Sequence, residues 1–152
     1  MAKSKDDKKA KAAAWESFSR WKRIKDCLEA TGLPFVGICI TCKPPRNKYH
    51  ITYLQAGHCF GGRSNARLID EDYVFSQCLY CNKIMLGRPK RFREKMVEKY
   101  GEAAVALHEI ESKKIVKYVD WKAVKEKYDE KYKVLMREHG YKTWSELLQS
   151  KD

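Results

Sequence analysis

Six cysteines punctuate this 152-residue chain, and four of them fall into two Cys-x-x-Cys pairs. The pairs are Cys39/Cys42 and Cys78/Cys81, with 35 residues between Cys42 and Cys78. A two-residue gap lets both sulfurs of a pair face one ion, about 2.3 Å away in a tetrahedral Cys₄ zinc site. In a reducing compartment, thiolates so arranged favour a metal over a disulfide. A thioredoxin-like redox motif would need a βαβ context, and none is visible. The spacing therefore predicts a structural Zn²⁺ held by Cys39, Cys42, Cys78 and Cys81. The loop between the knuckles exceeds the usual zinc-ribbon length, so it must carry something of its own. Cys27 reads as a core thiol, and Cys59 as a small packed residue.

The charge is uneven, and the unevenness bounds the partner. The chain carries 32 Lys plus Arg against 20 Asp plus Glu, a net charge of +12. Residues 1–25 hold +6 and residues 82–100 hold +5, whereas residues 26–81 are neutral and residues 101–152 hold +1. Clusters of this kind suit a polyanion, because each neutralised phosphate releases counterions. No run approaches the ~18 apolar residues of a transmembrane helix, and the first residues show no secretory pattern. The expectation is an intracellular protein with no membrane partner.

Residues 1–11 read as a basic flexible tail. From Ala12, a stripe of Trp15, Phe18, Trp21, Ile24 and Leu28 predicts an amphipathic helix ending at Gly32, with Arg20, Lys22, Arg23 and Lys25 on the outer face. Residues 35–42 and 49–55 read as strands of a β-hairpin around Pro44-Pro45. Residues 66–76 show no clear period. Helices return after Pro89: one with Phe92, Met96, Val97 and Tyr100 inward, a short one over 102–112, a longer one capped by Asp120, and a last one opened by Thr143-Trp-Ser-Glu146. The expected organisation is a tail (1–11), an N-terminal helix (12–33), a zinc-organised core (34–100) and a C-terminal helical region (101–152).

A closed Cys₄ site does no chemistry, so function must lie in what it holds in place. His58 ends a strand candidate, a loop follows, and the second knuckle leads to the polar Asn82. That order resembles an HNH-type (ββα-metal) nuclease. A neutral imidazole at His58 can take a proton from water. Asn82 can orient it or ligate a cation, and Arg63 can brace a phosphate. Asp70, Glu71 and Asp72 are hard oxygen donors suited to a catalytic Mg²⁺ or Mn²⁺. Lys83, Arg88, Lys90, Arg91 and Arg93 suit contacts to DNA backbone, which carry no sequence information.

Trp15-Glu-Ser-Phe-Ser-Arg-Trp21, Arg23-Ile-Lys-Asp-Cys-Leu-Glu-Ala-Thr-Gly32, Leu54-Gln-Ala-Gly-His58, Gly62-Arg63-x-Asn65-Ala66, Asp70-Glu71 and Gln77-Cys78-x-x-Cys81-Asn82 resemble the phage NinG (Rap) recombination proteins over roughly residues 12–135. The resemblance implies an α+β fold: a small zinc-stabilised HNH-like (treble-clef) core with a β-hairpin, flanked by N- and C-terminal helices. It implies a metal-dependent, structure-specific endonuclease acting on branched DNA such as Holliday junctions and D-loops. It places His58 as general base with Arg63, Asn65, Asp70 and Asn82 in the site. A homodimer, phage recombination proteins as partners, and action in the cytoplasm of a bacterial host are further expectations. Phe75 stands where the family usually has His, and Tyr73 where it often has Asn or Gly. Gly57 stands where many HNH enzymes carry Asp or His. The alternative is a non-catalytic zinc module that binds nucleic acid in a recombination system.

Overall fold

The computed structural model describes residues 4–151. Helix α1 spans Lys5–Thr31. It begins at Lys5 rather than Ala12, so residues 5–11 belong to it, and only residues 1–3 of the expected tail lie outside the described part. The reason is local. The Ser4 side chain accepts from the Asp7 N–H at 3.1 Å, and Asp6 and Asp7 sit in the first turn, where carboxylates favour the helix dipole. Gly32 closes the helix in the left-handed conformation (φ 77°), donating to Leu28 O at 2.9 Å.

Strand β1 (Val36–Ile38) pairs antiparallel with β2 (Lys48–His50), which is the hairpin the sequence predicts. The second predicted strand, however, does not run on through 49–55. A 3₁₀ turn at Ile51–Tyr53, with the His50 side chain accepting from the Thr52 N–H, breaks it. The chain then restarts as β3 (Leu54–His58), antiparallel to β4 (Val74–Cys78). The second strand of this hairpin, β4, begins where the sequence shows no period. All five residues of β4 are buried, Ser76 and Gln77 included, so it has no exposed face to alternate with.

Helices α2 (Pro89–Tyr100), α3 (Glu102–Glu111), α4 (Trp121–Glu138) and α5 (Trp144–Leu148) follow. The Asp120 and Thr143 side chains cap α4 and α5, as their positions predict. The fold is α+β, with the two hairpins between helical flanks. The C-terminal helices are packed into the core. Tyr128 of α4 meets Phe18 and Trp21 of α1 at ring-centroid distances of 4.9 and 5.2 Å, and Leu147 of α5 is buried with Ile24 and Ile51.

One basic residue of α1 departs from expectation. Lys22 is 2% exposed, not on the outer face. Its Nζ donates to Asp26 Oδ1 at 2.7 Å and lies 4.0 Å from the Phe75 ring centroid. The other Asp26 oxygen accepts from the Ser76 N–H and Oγ at 2.8 and 2.9 Å. A buried ion pair is tolerated only when its remaining bonding capacity is satisfied, and Ser76 of β4 does that. The pair therefore fixes α1 against β4.

Candidate functional site

Two features define the site: a sulfur cluster that organises the core, and an imidazole stacked on a tryptophan that walls a cation-lined hollow.

The sulfurs of Cys39, Cys42, Cys78 and Cys81 all lie within 4.8 Å of one another. Cys42 Sγ is 3.6 Å from both Cys78 Sγ and Cys81 Sγ. An ion bonded at ~2.3 Å to four sulfurs gives tetrahedral edges of about 3.8 Å, so these donors fit zinc. Surrounding groups hold them. Thr41 Oγ1 and Tyr49 OH contact Cys39 and Cys42 at 3.5 and 3.4 Å, and Arg88 Nε donates to Cys81 Sγ at 3.2 Å. Such outer bonds orient ligands and offset the charge of a tetrathiolate site. Arg88, a DNA contact by the sequence pattern, thus has its Nε committed to the sulfur cluster. Cys59 is buried among Tyr73, Phe75, Phe92 and Met96, and burial pushes its thiol up to about 12. Cys27 is also raised to about 12 by burial. Both are inert core thiols.

His58 closes β3. Its Nε2 lies 3.0 Å from Leu68 O, which can only accept, so Nε2 carries the proton and the Nδ1 lone pair remains. Nδ1 has no hydrogen-bond partner among the described residues. The ring stacks on Trp15 of α1, centroids 4.8 Å apart and planes at 22°. Burial lowers the His58 pKa, opposed by the Leu68 hydrogen bond and reinforced by nearby Arg63. The imidazole is therefore neutral at pH 7.

Trp15 also carries the Arg63 guanidinium 5.3 Å from its ring centroid, and it forms one wall of a cavity of about 240 Å³. Arg23, Arg63 and Lys83 supply the charge of that cavity, and Gln55 and Asn82 supply amides. Asn82 Nδ2 donates to Gln55 Oε1 at 2.8 Å, tying the second knuckle to β3. Asn82 does not open a helix. It sits in a π-helical turn at Tyr80–Ile84, and α2 begins only at Pro89.

Tertiary structure thus brings His58 and Arg63 to Trp15, while Asn82 lies on the other face of β3, 3.2 Å from where a Cβ at Gly57 would stand, and lines the cavity with Arg23 and Lys83. It places two other expected residues elsewhere. Asn65 is a clamp, with Nδ2 donating to Val116 O at 2.9 Å and Oδ1 accepting from Lys11 Nζ at 3.0 Å. Asp70 pairs with His108, Oδ2 to Nε2 2.6 Å, and His108 stacks on Tyr73 at 3.7 Å. Glu71 accepts from Tyr128 OH and Lys131 Nζ at 2.7 and 3.0 Å. No carboxylate lines the cavity among the described residues, and the cysteine cluster is their one group of three or more potential metal donors. The residues present therefore do not assemble a site for a catalytic Mg²⁺ or Mn²⁺.

The residues that depart from the expected pattern have packing explanations. A Cβ at Gly57 would stand 1.9 Å from Gln77 Oε1, so the Gln77 side chain occupies the space a larger residue would need. Phe75 pairs with Gly57 across the hairpin, while Val74 pairs with His58. Alternation puts Phe75 on the face away from His58, where it packs with Phe92.

Of the other expected DNA contacts, Lys83 and Lys90 are exposed. Arg93 is bound to Glu102 at 2.8 Å, and Arg91 lies 4.0 Å from Glu94. Arg63 also lines a second basic hollow of about 630 Å³, where it meets Lys11, Arg67, Lys113, Lys114 and Lys117, none of them marked as site residues by the sequence. The Lys113-Lys114-x-x-Lys117 run was the available signal, hidden by the near-neutral balance of residues 101–152.

Fold and site together define an α+β protein with a four-cysteine cluster fit for zinc and a half-buried, neutral histidine stacked on a tryptophan that walls a cationic hollow. The chain belongs to the bacteriophage lambda NinG protein family, whose model matches residues 2–138. No curated protein and no solved structure matches it. No described helix is long and apolar enough to cross a membrane.

Proposed function

We propose that this protein is a structure-specific DNA endonuclease acting on branched recombination intermediates, with His58 as general base. The observation that carries the reading is the state of His58. A carbonyl holds its proton on Nε2, burial keeps the ring neutral, Nδ1 keeps its lone pair, and the ring stacks on Trp15, which carries Arg63 and walls the hollow of Arg23 and Lys83. Nδ1 would take a proton from water as the water oxygen bonds to phosphorus and the P–O bond to the leaving sugar oxygen breaks. The cations would brace the phosphate and stabilise the charge that builds on its oxygens. Mg²⁺ or Mn²⁺, where a substrate phosphate brings one, would supply Lewis-acid stabilisation.

A second reading, a non-catalytic zinc module that binds branched nucleic acid, is favoured by one observation: the cavity has no carboxylate and Asp70 is committed to His108. Cleavage of end-labelled Holliday junction, D-loop and plain duplex, with Mg²⁺ or Mn²⁺ present, separates the two. The nuclease reading expects branched DNA to be cut by the wild type and left intact by His58→Ala, with binding retained. A zinc-loaded wild type that binds junctions and cuts none under either ion replaces it with the module. Action in a bacterial host cell, a homodimer on the two-fold symmetry of a junction, and contacts with phage recombination proteins belong to the same proposal.

A further inference from the structure

The second zinc knuckle has an unusual outer surface. Between Cys78 and Pro89 it exposes Leu79, Tyr80, Ile84, Met85 and Leu86, with Ile84 68% and Leu86 85% exposed. The backbone beneath them is pinned. Met85 N–H donates to Tyr80 O, Gly87 N–H to Cys81 O and Arg88 N–H to Met85 O, at 2.8–3.1 Å, and Gln77 Nε2 holds Gly87 O at 2.9 Å. Leu86 and Arg88 sit at φ 53° and 45°, in the left-handed region that Leu and Arg rarely enter. Such conformations persist only where the surroundings over-determine them, and they concentrate at functional sites. For Arg88 the return is its bond to Cys81 Sγ. For Leu86 nothing inside the protein repays the strain, because its side chain points out to solvent.

Cations line two hollows at this apolar ridge. Lys83 of this segment lines the hollow that holds Arg23 and Arg63. Tyr80 and Met85 wall a second hollow of about 790 Å³, with Lys43, Arg46 and Lys90 around it. An exposed apolar segment on a pinned backbone, with its own residues lining two cationic hollows, suits one ligand shape: two nucleic-acid arms meeting at a point where bases are not fully stacked. We infer that Ile84 and Leu86 form a wedge that enters the base stack at the branch point, while the flanking cations hold the arms. Apolar wedges at base steps are a general means of engaging distorted DNA. The inference rests on the branched-DNA reading above and names the element that would read the branch.

The test is binding, in the absence of divalent metal, to a four-way junction with 2-aminopurine at the branch point and to a plain duplex. The variant is Ile84→Ser/Leu86→Asn, because Asn tolerates the left-handed backbone that Leu86 strains to hold. Zinc content and thermal unfolding confirm that it folds. The wild type is expected to prefer the junction and to raise 2-aminopurine fluorescence. The variant is expected to lose the fluorescence rise and about tenfold of the preference, a change on the scale of unstacking a base step, with duplex affinity unchanged. Unchanged preference, or an equal loss on junction and duplex, overturns the wedge. A wild type that never prefers the junction overturns the branched-DNA reading as well, and does so without the variant. Sedimentation identifies the remaining occupant: a wild-type dimer that the variant breaks, with junction preference intact, makes the ridge a contact between two copies and overturns the inference.

Discussion

The Trp15 indole lies nearly parallel to the His58 imidazole, 4.8 Å away, and so removes one face of the histidine from water. Burial is the leading cause of the lowered His58 pKa. Trp15→Ala is therefore expected to move that pKa up toward 6.5, and Trp15→Phe to preserve most of the shift. Titration of the imidazole resonances by NMR reads this directly. An unmoved pKa in Trp15→Ala would show that the Arg63 charge, rather than stacking, keeps the ring neutral.

The same shift sets a pH dependence of stability. Because the folded protein binds the His58 proton less tightly than the unfolded chain does, the unfolded state gains protons first as pH falls. Stability should rise with pH from the lowered folded value up to about 6.5 and then level off, as far as this group is concerned. His58→Gln should remove that component. Urea midpoints from pH 5 to 8 for both proteins give the comparison, and parallel curves would contradict it.

Gly57→Ala should destabilise the protein by about 1–3 kcal/mol, the usual cost of forcing an extra methyl group into packed space. The new Cβ would meet Gln77 Oε1, and Gln77 cannot retreat without releasing Thr41 Oγ1 and Gly87 O, each held at 2.9 Å. Chemical denaturation measures the loss. A variant as stable as the wild type would mean that Gln77 has another place to go.

Zinc removal should unfold the core rather than only loosen the knuckles. Structural zinc contributes on the order of 10–16 kcal/mol in small zinc domains. Here the cysteines buried at the cluster adjoin β4, whose Ser76 anchors α1 through Asp26. Chelation at neutral pH should therefore collapse near-UV dichroism from α1's tryptophans together with the metal-dependent signal. A stepwise loss, zinc first and tryptophan packing unchanged, would separate the two layers.

Lys22→Met should cost about 3–5 kcal/mol, because it leaves the Asp26 charge buried without its partner. The hydrogen bonds from Ser76 would remain and would not neutralise that charge. Equilibrium unfolding provides the number. A cost under about 1 kcal/mol, the scale of a surface pair, would place Lys22 in solvent in the folded protein.

Much of this architecture is legible in the chain because it is local. Each Cys-x-x-Cys pair sits within one knuckle, Ser4, Asp120 and Thr143 cap helices a few residues away, and Gly32 follows the helix it ends. The β3–β4 hairpin was partly hidden because β4 is buried on both faces and lacks alternation. The early start of α1 was hidden because its lysines resemble those of a solvated tail, although Ser4, Asp6 and Asp7 carry the capping signal.

The sequence by itself determined the four-cysteine cluster, the main helices and the family, since spacing, short motifs and short-range capping encode all three. Tertiary structure decided what the polar residues do. It committed Asp70 to His108, 38 positions away, and Glu71 to Tyr128, 57 positions away. It turned Arg88 toward a cysteine sulfur, buried Lys22, and stacked Trp15 on His58. A charged or aromatic side chain carries no local record of its partner. Which group satisfies its charge or covers its face depends on what the packed helices and hairpins bring within about 3–5 Å, and only the assembled fold fixes that.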